Sequence, residues 1–241
     1  MRVRFYILAL IIFAQVTTTC AKTFIVCVGI SDYPGYYNDL MVSDNDATTM
    51  ARLYKNNVAA EVVCLTNRQA TMSNIVNAMK TMYSRAGSDD TVILYFSGHG
   101  QKGVFKCYDR SMPFSTITDC MKLSNSRKRI VFADACMSGS MRRGNRRSGS
   151  SDISLMFFLS SRTSEPSREM AQLRNSVFTS YLLRGLQGSA DSNHDNLITA
   201  KELFTYVSNQ VISLTHQRQH PVMWGNFSDN MVLMNLNMFR R

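Results

Sequence analysis

The sequence predicts an α/β fold, with a mostly parallel central sheet, helices on both faces and therefore three layers. Apolar runs rich in Val, Ile, Leu and Phe recur at 23–30, 60–65, 91–96, 129–133 and 153–160. Uninterrupted runs of that length are the pattern of strands buried on both faces. Helical periodicities stand between most of them, at 43–56 and 71–85, and two more follow at 176–186 and 199–214. Alternation of this kind implies parallel strands joined by helical crossovers. A chain of 241 residues, 45% apolar, supplies one domain with a substantial core and would cramp two.

The first 21 residues stand apart. Arg2 and Arg4 precede an apolar stretch over 5–16, which gives way to Thr17, Thr18, Thr19, Cys20 and Ala21. A charged start, a short apolar run and small residues at the end make a secretory signal peptide, with cleavage after Ala21. The alternative is a lipoprotein anchored through Cys20. The run is too short to span a bilayer comfortably, so residues 22–241 are expected to be exported, secreted or periplasmic, without a transmembrane span.

The strand at 23–30 ends in Gly29 and a turn containing Ser31, Asp32, Tyr33, Pro34 and Gly35. Ser43 or Asp44 suits the N-cap of the next helix, whose Ala47, Met50, Ala51 and Tyr54 share a face. Ile75, Met79 and Met82 do the same for the helix at 71–85. Between the strands at 91–96 and 129–133 the sequence reads as a polar connection containing Pro113 and Cys120. The tail at 221–238 reads as strand pieces around Gly225, and no internal repeat is present.

The net charge is +10. With Arg2 and Arg4 set aside, 25 basic residues face 17 acidic ones, and the surplus concentrates in Arg127, Lys128, Arg129, Arg142, Arg143, Arg146 and Arg147. A basic surface attracts polyanions, but no aromatic-plus-basic motif and no zinc-finger spacing accompanies it, which argues against nucleic-acid binding. Of six cysteines, Cys20 belongs to the leader boundary, and Cys27 and Cys64 lie inside strand-like runs as buried thiols. Cys107 and Cys120 are loop-side and suited to pairing in an oxidising compartment. Five cysteines after the leader leave at least one unpaired.

The chemistry concentrates in two segments, Tyr95-Phe96-Ser97-Gly98-His99-Gly100 and Asp134-Ala135-Cys136-Met137-Ser138-Gly139. Each follows an apolar strand, and ligands of open α/β sheets bind beyond the carboxyl ends of strands. A histidine and a cysteine there are the minimum equipment for thiolate catalysis. Gly98 and Gly100 clear side chains from around His99, and the amides of Gly100 and Cys136 suit a developing oxyanion. Residues 139–152, poor in apolar groups and rich in Gly, Ser and Arg, read as a mobile surface loop open to proteolysis.

These two segments resemble the His-Gly and Asp-x-Cys-x-Ser-Gly motifs of the caspase-like cysteine peptidases, the family of caspases, metacaspases and paracaspases. Gly29 to Tyr33, Leu40 with Ser43 to Ala47, and Gln219-His220-Pro221-Val222 are similar to its outlying segments, so the resemblance spans residues 22–241. Asp134-Ala135 before the cysteine, in place of Gln-Ala, moves it toward bacterial metacaspase-like members. The resemblance implies a caspase-like three-layer sandwich, His99 as general acid/base and Cys136 as nucleophile. It also implies an acidic pocket at Asp134 and Asp46 for the basic side chain of a protein or peptide substrate; the plainer reading is that these residues cap a strand and a helix. Such a pocket would accept Arg142, Arg143, Arg146 or Arg147 in self-processing. A non-catalytic secreted binding module and a clostripain- or gingipain-type peptidase are the competing classes.

No cofactor is required by this chemistry. Asp191, Asn193, Asp195 and Glu202 fit the spacing of a calcium loop, although Asn196 stands where glycine is usual. The same segment also reads as a plain turn into a helix.

Overall fold

The protein is described here by a computed structural model covering residues 21–35, 38–135, 154–161 and 174–239. Five parallel strands form the centre: β1 (Thr23–Gly29), β2 (Ala60–Thr66), β3 (Thr91–Ser97), β7 (Lys128–Asp134) and β8 (Leu155–Leu159). The antiparallel strand β10 (Val222–Asn226) closes one edge, giving the order β10-β8-β7-β3-β1-β2. Between β3 and β7 the chain makes β4 (Gly100–Gln101), β5 (Val104–Lys106) and β6 (Ser111–Pro113), a small antiparallel sheet beyond the end of β3. A second small sheet pairs β9 (Leu197–Thr199) with β11 (Val232–Asn235).

The two-residue period of the strands divides the core between the faces. Phe24, Val26 and Val28 of β1, Val92, Leu94 and Phe96 of β3, and Leu155, Phe157 and Leu159 of β8 pack on one side, against α2 (Met72–Tyr83) and α3 (Phe114–Lys122). Ile25 and Cys27, Ile93 and Tyr95, Ile130 and Phe132, and Met156 and Phe158 point the other way, against α1 (Ser43–Asn57), α4 (Val177–Arg184) and α5 (Ala200–Leu214). The strands therefore look uniformly apolar in sequence because both of their faces are covered.

The strand order also reverses at β1. From β1 the chain moves outward to β2 on one side, while β3, β7 and β8 extend the sheet on the other. Chain segments leaving the carboxyl ends of β1 and β3 diverge to opposite faces, toward α1 and toward α3, and such a reversal opens a ligand-binding cleft.

The expected α/β architecture is present, with four local differences. The polar connection is a hairpin sheet plus α3, the helix that begins directly after Pro113. Helix α1 starts at Ser43 with Val42 at the N-cap and no side-chain cap, so neither Ser43 nor Asp44 caps it; Asp44 instead accepts a hydrogen bond from Ser31 Oγ at 2.7 Å. Cys107 and Cys120 are free and buried rather than paired, since α3 carries Cys120 into the core. Cys64 is only half-buried, because β2 is an edge strand whose residues are all partly accessible.

Candidate active site

Register lines up the ends of three strands: Gly29 of β1 lies beside Ser97 of β3, and Ser97 beside Asp134 of β7. Ser97 follows Tyr95 by two residues and Asp134 follows Phe132 by two, so both side chains face α1 and α4. Ser97 Oγ donates to Asp46 Oδ2 at 3.0 Å. Asp46 sits in the first turn of α1 and is fully buried. Its Oδ1 accepts from Asn175 Nδ2 at 2.8 Å and from the Ser176 amide at 3.0 Å.

Ser176 joins the two carboxylates. It is the N-cap of α4, accepting from the Thr179 amide at 3.2 Å, while its hydroxyl donates to Asp134 Oδ2. Thr179 Oγ1 reaches the same oxygen at 3.0 Å and lies 2.6 Å from the Tyr95 hydroxyl. The phenol donates to the threonine, which donates onward, so Asp134 Oδ2 receives two hydrogen bonds. Asp134 Oδ1 is buried and has no hydrogen-bond partner among the described residues. No described cation pairs with either carboxylate; the four ion pairs of the described residues all lie elsewhere. Burial, and the neighbouring Asp134 carboxyl, push the Asp46 carboxyl up to about 7 against the hydrogen bonds of Asn175, Ser176 and Ser97.

His99 follows β3 by two residues. Its Nε2 lies 2.7 Å from the Asn38 carbonyl oxygen. A carbonyl only accepts, so Nε2 carries the proton and Nδ1 is left as the basic nitrogen. The loop after β1 thus fixes the imidazole tautomer. Next to it, the Lys106 amide bonds the His99 carbonyl at 2.9 Å, which makes His99–Lys106 a hydrogen-bonded position of the β4–β5 ladder. Gly100, paired with Phe105, therefore occupies a non-hydrogen-bonded position, and its N–H points away from β5.

Cys136 is the next residue after Ala135 at the end of β7; it lies outside the described residues, as do Cys20, Arg142, Arg143, Arg146 and Arg147. The site elements that are described, His99, Gly100, Asp46 and Asp134, gather at the carboxyl ends of β3 and β7 and the start of α1. Sequence reasoning missed Tyr33, Asn38, Ser97, Asn175, Ser176 and Thr179 as their supports. One local signal existed for Ser176, a serine three residues before Thr179 at the head of an apolar run.

The calcium-type segment lies apart from this cluster, and its oxygens bond within the loop. Asp191 Oδ1 and Oδ2 accept from the Asp195 and Asn196 amides, and Asp195 Oδ1 accepts from the Leu197 amide. Glu202 forms a capping box with Thr199 and also accepts from Ser192. Among the described residues no group of three or more His, Cys, Asp or Glu side chains is arranged to hold a metal ion.

The caspase domain profile matches residues 22–232. The chain belongs to the caspase domain family. No curated protein matches the sequence, but solved structures share its fold. The crystal structure of protein GSU0716 from Geobacter sulfurreducens has a TM-score of 0.68 at 14% identity, over 91% of this chain and 100% of that one. Caspase-1 from Spodoptera frugiperda has a TM-score of 0.65 at 15% identity, over 88% of each chain. Those identities speak for fold alone. Membership makes this caspase domain part of a cysteine peptidase family whose substrates are proteins, and none of its described helices is long and apolar enough to cross a membrane.

Proposed function

We propose that the protein is a cysteine endopeptidase that hydrolyses peptide bonds after arginine and, more slowly, lysine. The observation that carries the specificity is the buried pair Asp46 and Asp134, without a cation and with Asp134 Oδ1 unbonded among the described residues. A guanidinium offers five donors in a planar fork and suits two carboxylates better than an ammonium does.

In this reading His99 Nδ1 takes the proton of the Cys136 thiol, and the thiolate attacks the carbonyl that follows the basic residue. The Gly100 and Cys136 amides stabilise the oxyanion. The imidazolium returns its proton to the leaving amine, and water, activated by the same imidazole, hydrolyses the thioester. Bonds after Arg142, Arg143, Arg146 or Arg147 suit the same pocket, so the enzyme processes itself. The leader at 1–21 directs export.

Peptides identical except at the residue before the scissile bond test the specificity. Cleavage is expected fastest with Arg, slower with Lys and absent with Asp; a preference for Asp overturns the assignment of the pocket.

A further inference from the structure

The ladder beside His99 has an irregular first pair. In a regular antiparallel sheet, two residues at a hydrogen-bonded position exchange two N–H···O=C bonds. Only one of these forms directly between His99 and Lys106, from the Lys106 amide to the His99 carbonyl. The other is interrupted by a side chain from the loop after β1. The Tyr33 hydroxyl accepts from the His99 amide at 2.9 Å and donates to the Lys106 carbonyl at 3.0 Å. Its ring lies against the imidazole, with centroids 4.8 Å apart and planes tilted by 41°.

Gly98 makes room for this. A Cβ at Gly98 would stand 2.6 Å from the Tyr33 oxygen and 3.2 Å from the Phe96 ring. The loop is itself braced, since the Tyr33 amide donates to Asp39 Oδ1 at 3.2 Å. Asn38, whose carbonyl holds His99 Nε2, has its amide on the Gly35 carbonyl. One short loop therefore grips His99 twice, at the backbone through Tyr33 and at the ring through Asn38.

We propose that Tyr33 is a positioning residue for His99, its hydroxyl wedging the first pair of the ladder open so that the imidazole stays on the Asn38 carbonyl with Nδ1 free. The proposal rests on the reading of His99 as the catalytic base. Without the hydroxyl, the part-buried His99 amide and Lys106 carbonyl lose their partners, and backbone groups shielded from water rarely stay unpaired. The direct bond then closes, His99 is drawn toward β5, and Nε2 leaves Asn38. Asp46 and Asp134 lie on other elements, and neither carboxylate bonds Tyr33 or the His99 imidazole.

Tyr33→Phe keeps the ring and removes only the O–H. Its kcat on an arginyl peptide is expected to fall by roughly ten- to a hundredfold, with KM within about twofold of the unaltered enzyme. A second readout does not need the substrate preference: the pH profile of Cys136 alkylation by iodoacetamide, mapped by mass spectrometry, shifts upward as it does in His99→Ala. Gly98→Ala, which presses a methyl on the same oxygen, also lowers kcat, and the double variant loses less than the product of the single losses. If Tyr33→Phe does not fold, Gly98→Ala carries the kinetic test alone. An unchanged kcat, a loss equally expressed in KM, or an unshifted alkylation profile overturns the proposal. Should the unaltered enzyme ignore arginyl peptides while Tyr33→Phe still shifts the alkylation profile, the pocket assignment fails and the positioning role stands.

Discussion

In the proposed reading, Asp46 ties stability to specificity. Its carboxyl, held up at about 7 by burial and by Asp134, keeps a proton in the folded chain that the unfolded chain releases near pH 4. The folded state therefore binds more protons between those values. This contribution to stability is fully present below pH 4 and declines as pH rises to 7. Urea titrations across that range should show the decline in the unaltered protein and a flatter profile in Asp46→Asn; identical profiles would contradict the burial argument. Arginyl-peptide turnover has the opposite sign, rising through pH 7 as the pocket gains charge, and Asp46→Asn should lower kcat/KM by roughly a hundredfold. His99 and Asp134 could be named as candidates because they stand in short motifs whose residue types already imply chemistry, and Asp46 was named through the family resemblance. Tyr33 was not legible, and Ser176 was legible only as the start of a helix, because their partners His99 and Asp134 are 66 and 42 residues away, and nothing local marks such a contact.

Elements were legible where an apolar run or a helical period was long enough to register. Strands β1, β3 and β7 are covered on both faces and read as continuous apolar runs. The strands of the hairpin sheet are two or three residues long, shorter than any window in which a period of two can register. Helix α3 was hidden by its Ser, Thr, Asp and Cys content, although Ile117, Cys120 and Met121 form its buried face. The close packing of α1 on β1 is what brings Asp46 to the strand ends, and Gly29 permits it. A Cβ there would lie 2.2 Å from the Ser43 carbonyl oxygen and 2.6 Å from Ala47 Cβ. Gly29→Ala should cost about 3 kcal/mol in urea unfolding, the scale of a core overpacked by one methyl. It should also weaken arginyl-peptide binding, and a stability unchanged within error would contradict this packing.

At the scale of the whole molecule, the reversal of strand order between β1 and β3 sets where the candidate site lies. It brings the loop of Tyr33 and Asn38, the first turn of α1 and the carboxyl ends of β3 and β7 together. Residues from separate stretches of chain thereby meet at these strand ends, which explains why the fold class was readable in the sequence while the wiring of the site was not. The pocket and the basic segment after Cys136 together predict self-processing. Expressed Cys136→Ala protein should remain a single chain while the unaltered enzyme is cut after Arg142, Arg143, Arg146 or Arg147; persistent cutting in the variant would assign it to another protease. The central claim is that Cys136 and His99 form a catalytic pair served by an acidic pocket. Treating the purified protein with an arginyl chloromethyl ketone and mapping the adduct by mass spectrometry tests it most directly. The predicted result is a single adduct on Cys136 that is lost in His99→Ala and slowed in Asp134→Asn, whereas an adduct elsewhere, or one indifferent to His99, would contradict it.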